Sequence, residues 1–127
     1  MKDEIAKEWI ERGRHDLDVA KILFKNQKYL DIVLFHIHQA VEKYLKAFLI
    51  HNGWKLRKIH DIEILITEAM NFKTEFKKYL DFGRELTAYY YEERYPPGST
   101  YPYSKKEVEK ALETAEDIIK KLEREMT

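Results

Sequence analysis

Apolar residues recur along this chain at steps of three and four, the period of a helix rather than of a strand. From Asp3 to about Phe24 the positions Ala6, Trp9, Gly13, Leu17, Ala20 and Phe24 mark one side of a first predicted helix, with Glu4, Lys7, Glu8, Glu11, Arg12, Arg14 and Lys21 on the other. Asn26 to Lys28 reads as a short polar turn. Leu30 to His51 then forms a second helix whose apolar residues cover more than one stripe, which predicts a central position touching several neighbours. Asn52-Gly53 supplies residues that tolerate a left-handed helix end and stops it. Asp61 caps a third helix carrying Ile62, Leu65, Ile66 and Ala69, and a fourth runs from about Thr74 to Tyr91 with Phe76, Leu80, Gly83, Thr87 and Tyr90 or Tyr91 on one side. All three prolines, Pro96, Pro97 and Pro102, lie in RYPPGSTYPYS, where no helix continues. Ser104 with Glu107 makes a capping box for the last helix, whose apolar face is Val108, Ala111, Leu112, Ala115, Ile118, Ile119 and Leu122. The predicted architecture is all-α, a bundle of about five helices, mostly antiparallel because the connections are short.

Composition narrows the picture further. At 127 residues the chain has the length of one domain, 1–127, large enough to bury a core without staples. It contains no cysteine, which removes disulfides, zinc-thiolate sites and thiol nucleophiles together. Twenty-three basic residues balance 23 acidic ones, so no global field draws the protein to nucleic acid or an anionic membrane, and any basic patch is local. The N-terminus is charged from its second residue and no apolar run approaches the roughly 20 residues of a membrane span, so the expectation is a soluble cytoplasmic protein.

Three constellations carry candidate chemistry. On the second helix His36, Gln39, Lys43 and Lys46 share one face, a stripe that suits an anion if it is not consumed by local ion pairs involving Glu42 and Lys43. In the second, Tyr89, Tyr90, Tyr91, Tyr95, Tyr101 and Tyr103 gather beside Arg84 and Arg94; rings stack on bases and guanidinium groups pair with phosphate, but the same tyrosines suit a subunit interface. The third is His60-Asp61, which with His36 and Asp81 supplies the residue types of a metal set in helical phosphohydrolases. Asp61 has the simpler task of capping a helix, and neither a metal nor another cofactor is expected.

The stretch HIHQAVEKYLKAFLIHNGWKLRKIHDI resembles the signature of HEPN domains: Gln39, Ala40, Glu42, Lys43, Lys46 and Ala47, then a turn at Gly53 and the pair His60-Asp61. The start, with Trp9, Asp16, Leu17 and Ala20, and the late Tyr-Tyr…Arg-Tyr-Pro run extend the resemblance over nearly the whole chain. It implies a helical bundle that commonly dimerises, and one of several roles: ribonuclease toxin, nucleotide-binding partner of a minimal nucleotidyltransferase, or substrate-binding part of a fused one. Ribonuclease members carry Arg, a gap of four to six residues and His, often followed two residues later by Tyr. Here Arg84 is followed after four residues by Tyr89 and then Tyr91, so a phenol stands where the motif has its imidazole. A phenol of ordinary pKa about 10 is a poor base at neutral pH.

The leading expectation is therefore a non-catalytic, homodimeric HEPN protein that binds a nucleotide or phosphorylated ligand and acts with a separate nucleotidyltransferase, in a toxin–antitoxin-like pair. Arg84 and Arg94 would meet phosphate, Tyr89, Tyr91 and Tyr95 would stack on a base or position the arginines, and Lys43 and Lys46 would form a second, weaker anion site. The alternatives are a divergent metal-independent RNA endonuclease toxin, and a structural dimeric module whose tyrosine-rich surface is the interface.

Overall fold

The computed structural model describes residues 2–94 and 103–127, and they form the expected all-α bundle. The five helices are α1 (Lys2–Lys25), α2 (Leu30–His51), α3 (Ile62–Ala69), α4 (Leu80–Arg94) and α5 (Lys105–Glu125). The fourth predicted helix is corrected in one respect: Thr74–Tyr79 is a 3-10 segment, and regular α-helix starts only at Leu80. The tighter turn drops both Phe76 and Tyr79 into the core, two rings that a straight α-helix would place further round its axis. The helix-breaking segment with Pro96, Pro97 and Pro102 lies outside the described residues.

Local signals set the boundaries. At the end of α1 the Lys28 N–H reaches the Leu23 carbonyl and the Gln27 N–H that of Phe24, a Schellman closure whose left-handed residue is Gln27. The same closure ends α2: Trp54 bonds Leu49 and Gly53 bonds Ile50, with Gly53 at φ 94°, where a side chain would be strained. Asp61 accepts from the Ile64 N–H at 3.1 Å to start α3, and Ser104 from the Glu107 N–H at 3.0 Å to start α5.

Helix α2 is the axis of the bundle and packs against the other four helices. Val33, Leu34, Ile37, Ala40, Val41, Leu45 and Leu49 on it are fully buried, which is why its apolar pattern covers more than one stripe. Helix α1 lies antiparallel along it, with Asp3 near His51, Gly13 against Tyr44 and Asp16 against Lys43. Gly13 permits the close crossing, since a Cβ there would sit 2.9 Å from the Tyr44 ring. Helix α5 runs antiparallel to α1 and closes the far side with Val108, Ala115, Ile118, Ile119 and Leu122. Among the described residues no helix is long and apolar enough to cross a membrane.

Candidate functional site

On its less apolar face α2 carries polar groups that the fold covers. Glu42, Lys46 and His38 are all buried, with relative exposures of 4%, 3% and 0%. Lys46 Nζ donates to Glu42 Oε2 at 3.0 Å, a pairing the helix makes automatically between positions four apart. The ammonium also lies 5.5 Å from the centre of the Trp9 ring, supplied by α1. The other carboxylate oxygen, Oε1, faces Nδ1 of His60 at 3.1 Å, from the connection between α2 and α3. Glu42 thus holds one buried cation with one oxygen and orients an imidazole with the other.

His38 closes the network from inside. Its Nε2 is 2.9 Å from the His60 carbonyl oxygen, which can only accept, so Nε2 carries the hydrogen. Burial lowers the His38 pKa below 6.5 despite the attraction of Glu42, and the ring is neutral near pH 7. Nδ1 then has only a lone pair, and it lies 3.3 Å from the Gln39 side-chain amide. The 3.8 Å approach of His38 to Glu42 is for the same reason not an ion pair. Because the unfolded chain binds a proton at His38 more readily than the folded one, stability is expected to be full above about pH 6.5 and to fall as pH drops toward the lowered value. Urea midpoints taken from pH 7.5 down to 5.5 check this. His38→Gln, which keeps a donor toward the His60 carbonyl, should flatten the slope, and an unchanged slope would assign it to another group.

One turn away Asp16 of α1 receives His36 Nδ1 at 2.9 Å on one oxygen and Lys43 Nζ on the other. Both lysines of the stripe on α2 are therefore engaged inside the protein, Lys43 with Asp16 and Lys46 with Glu42. The four residues considered for a metal are held apart: His60 is on Glu42, Asp61 caps α3, Asp81 meets Arg84 and His36 meets Asp16.

Helix α4 lays Tyr90 over this network. Its ring, 3% exposed, stacks on His38 at 4.2 Å and 21°, on His60 at 5.7 Å and 23°, and on Phe35 at 5.9 Å. Three contacts fix the register of α4 against the start of α3: Arg84 to Glu63, Thr87 Oγ1 to the Ile62 N–H, and Tyr90 to His60. Arg84 donates to Glu63 at 2.6 Å and to Asp81 at 3.2 Å; Glu63 first and then Asp81 raise its pKa above the usual value.

The helix sorts the expected tyrosine-arginine cluster by angle. Positions 84, 87, 91 and 94 follow steps of three and four and share one face of α4, on which Tyr91 is 48% exposed and touches Tyr90 edge to face. Tyr89 stands roughly 140° round the axis from Arg84. It meets Tyr103 at 5.4 Å, at an open groove between α4 and α5 lined also by Lys78, Asp81, Phe82 and Glu107. The structure therefore brings Arg84 and Tyr91 to one face and Tyr89 to another. The helical backbone includes position 94, and Tyr95 lies outside the described residues. The sequence reading missed the contact of Glu42 with His60 and the seat of Tyr90 between two imidazoles. The available signal was a Glu and a Lys four apart within a helix that is otherwise apolar.

Comparison with known proteins agrees with the fold. A family model described as HEPN domain matches residues 6–125. A protein of Methanocaldococcus jannaschii named "Putative toxin MJ1304" is 30% identical over 128 aligned positions, covering 90% of this chain and 83% of that protein. The crystal structure of TT1696 from Thermus thermophilus shares the fold at a TM-score of 0.79 and 26% identity, covering 94% of this chain and 97% of that one. Matched by the family model over nearly its whole length, the chain belongs to the HEPN domain family.

Proposed function

We propose that this protein is a HEPN member of a toxin–antitoxin-like pair, and that it binds a nucleotide or another phosphate-bearing ligand on the exposed face of α4. It works as a single helical unit, as a homodimer, beside a separate nucleotidyltransferase in the cytoplasm. The similarity to the protein named a putative toxin supports the first part of this reading.

The observation that carries the ligand site is the shared face of Arg84 and Tyr91. A guanidinium has five N–H groups, and Glu63 and Asp81 take one each, so three remain for a phosphate while the two carboxylates hold the group in place. The exposed Tyr91 ring, two turns along, offers a base a surface to stack on. Position 94 adds a second arginine on the same face. Lys43 and Lys46 are committed to Asp16 and Glu42, which leaves them structural work in place of the weaker anion site.

The position of Tyr89 favours binding over cleavage. A general base must reach the group that Arg84 holds, whereas Tyr89 faces α5 and carries a phenol in place of an imidazole. A thermal-unfolding screen against nucleotides and short RNA tests the reading, because a ligand of the folded state adds about 2.7 kcal/mol of stability at a hundred times its dissociation constant and so raises the midpoint. The rise should vanish in Arg84→Ala, with the unliganded midpoint nearly unchanged because the side chain is largely in water. Equal shifts in both proteins, or none with any ligand, would remove the site. Copurification with the nucleotidyltransferase then tests the partner.

A further inference from the structure

The two most exposed large apolar side chains among the described residues lie at one place, the end of the α1–α2 hairpin. Ile22, on the last turn of α1, is 61% exposed, and Tyr29, which opens α2, is 65% exposed; Val19, one turn before Ile22, is exposed as well. Hydrogen bonds fix the turn that carries them. Asn26 Nδ2 donates to the Ile22 carbonyl at 2.8 Å, the Lys28 N–H reaches the Leu23 carbonyl, and the Tyr29 carbonyl accepts the Val33 N–H at 2.9 Å. From Lys25 to Leu30 the chain carries two lysines and no acid. Lys21, one turn earlier, is paired with Glu116, whereas Lys25 and Lys28 form no ion pair among the described residues. Asp18 and Asp31, the nearest acids in the chain, lie further in on the two helices.

For the fold alone, Tyr29 is a poor choice at this position. Its backbone is left-handed, with φ 53° and ψ 56°, a conformation that Gly and Asn adopt readily and a bulky aromatic residue does not. It also occupies the cap position of α2, where Ser, Asp or Asn would serve the first N–H groups, and its side chain makes no capping hydrogen bond. Burial in the core does not offset either cost, since most of the ring is in water. A local rule broken without a gain in folding marks a residue kept for contact with something outside the chain.

We infer that the end of the α1–α2 hairpin is a peripheral docking site for an anionic lipid surface, with Tyr29 and Ile22 entering the headgroup region and Lys25 and Lys28 meeting the lipid phosphates. A ring with a polar tip suits the level of the headgroups, and lysines beside it hold their charges there while their stems lie along apolar surface. Two or three side chains at a hairpin end cannot supply the roughly 800 Å² that each side of a stable protein interface covers. A lipid surface, by contrast, yields around the few side chains that enter it. The chain as a whole is neutral, so the attraction comes from these lysines and acts close to the surface. Such a contact is reversible and needs no spanning helix.

The test is cosedimentation of the whole protein with vesicles of phosphatidylcholine containing about one third phosphatidylglycerol, with pure phosphatidylcholine vesicles as the reference, at low and raised salt. Binding is expected on the anionic vesicles and should weaken as salt rises. Lys25→Gln with Lys28→Gln should weaken it about twentyfold, roughly fivefold for each charge. Tyr29→Asn should weaken it about fivefold while the Tm stays at or above the parent's, because Asn tolerates the left-handed backbone and is a good cap residue. That opposite movement separates a lost contact from a damaged fold. Ile22→Gln, at a helical position already in water, should also bind more weakly with its Tm unchanged. Absence of binding to the anionic vesicles, equal binding to pure phosphatidylcholine, or parental binding by the double lysine variant overturns the inference. Parental binding by both Tyr29→Asn and Ile22→Gln overturns it too, since the contact would then be charge alone. A Tm of Tyr29→Asn well below the parent's would show that the ring serves the fold, and would remove the reason for assigning it to a lipid surface.

Discussion

Glu42→Ala is expected to destabilise the fold by about 3–5 kcal/mol, the usual consequence of breaking a buried charge pair from one side. Lys46 would remain 3% exposed, packed against Trp9, with no counter-ion, and the donor on His60 would lose its acceptor. For a chain of this length the loss corresponds to a drop in Tm of roughly 10–20 °C. The pair itself is not the source of that energy, because bringing both charges out of water costs nearly as much as their attraction returns. The double replacement Glu42→Leu with Lys46→Met should accordingly recover most of the loss. Chemical denaturation of the two single variants and the double one measures the coupling. A single Glu42→Ala variant within about 1 kcal/mol of the parent would mean that Lys46 slides past Trp9 into solvent, and that the network binds α1 to α2 only loosely.

Helical order and most boundaries were legible because they are set by neighbouring residues. Gly53 ends α2, Asp61 starts α3 and Ser104 starts α5 through bonds that reach no more than five positions along the chain. The central place of α2 was legible too, since a helix apolar on more than one side must be covered on more than one side. The 3-10 segment at Thr74–Tyr79 was not, because its period is forced by where Phe76 and Tyr79 find space, a property of the assembled core. The candidate site divides along the same line. Arg84 and Tyr91 share a face by helical geometry, and the same geometry sends Tyr89 away, so the angular separation was in the sequence even though closeness along the chain suggested one cluster. The partners of Glu42 were not in it. His60 lies 18 positions further on, beyond a connection of irregular backbone, and only the docking of α3 and α4 decides that its ring turns toward α2.

Tyr90→Ala is expected to cost about 3–5 kcal/mol, the range for removing a buried aromatic ring, and to change the protein's response to pH at the same time. The ring fills the space between Phe35, His38 and His60, and Leu86, one turn before it on α4, cannot swing into that space because it is itself fully buried elsewhere in the core. The burial that keeps His38 neutral is the largest influence on its pKa, and Tyr90 is the cover at 4.2 Å. With the cover gone, water reaches the imidazole and its pKa returns toward 6.5, so the folded and unfolded chains bind protons alike and the loss of stability below about pH 6.5 shrinks. Tyr90→Phe keeps the ring and costs only what the hydroxyl contributes, about 0.5–1.5 kcal/mol, with the pH dependence intact. Midpoints for the three proteins at pH 7.5 and 5.5 distinguish these outcomes. A Tyr90→Ala variant with the full parental slope would show that His38 is shielded by α2 and the His60 connection without help from α4. In that case the tie between the tyrosine helix and the buried network would be one of packing alone.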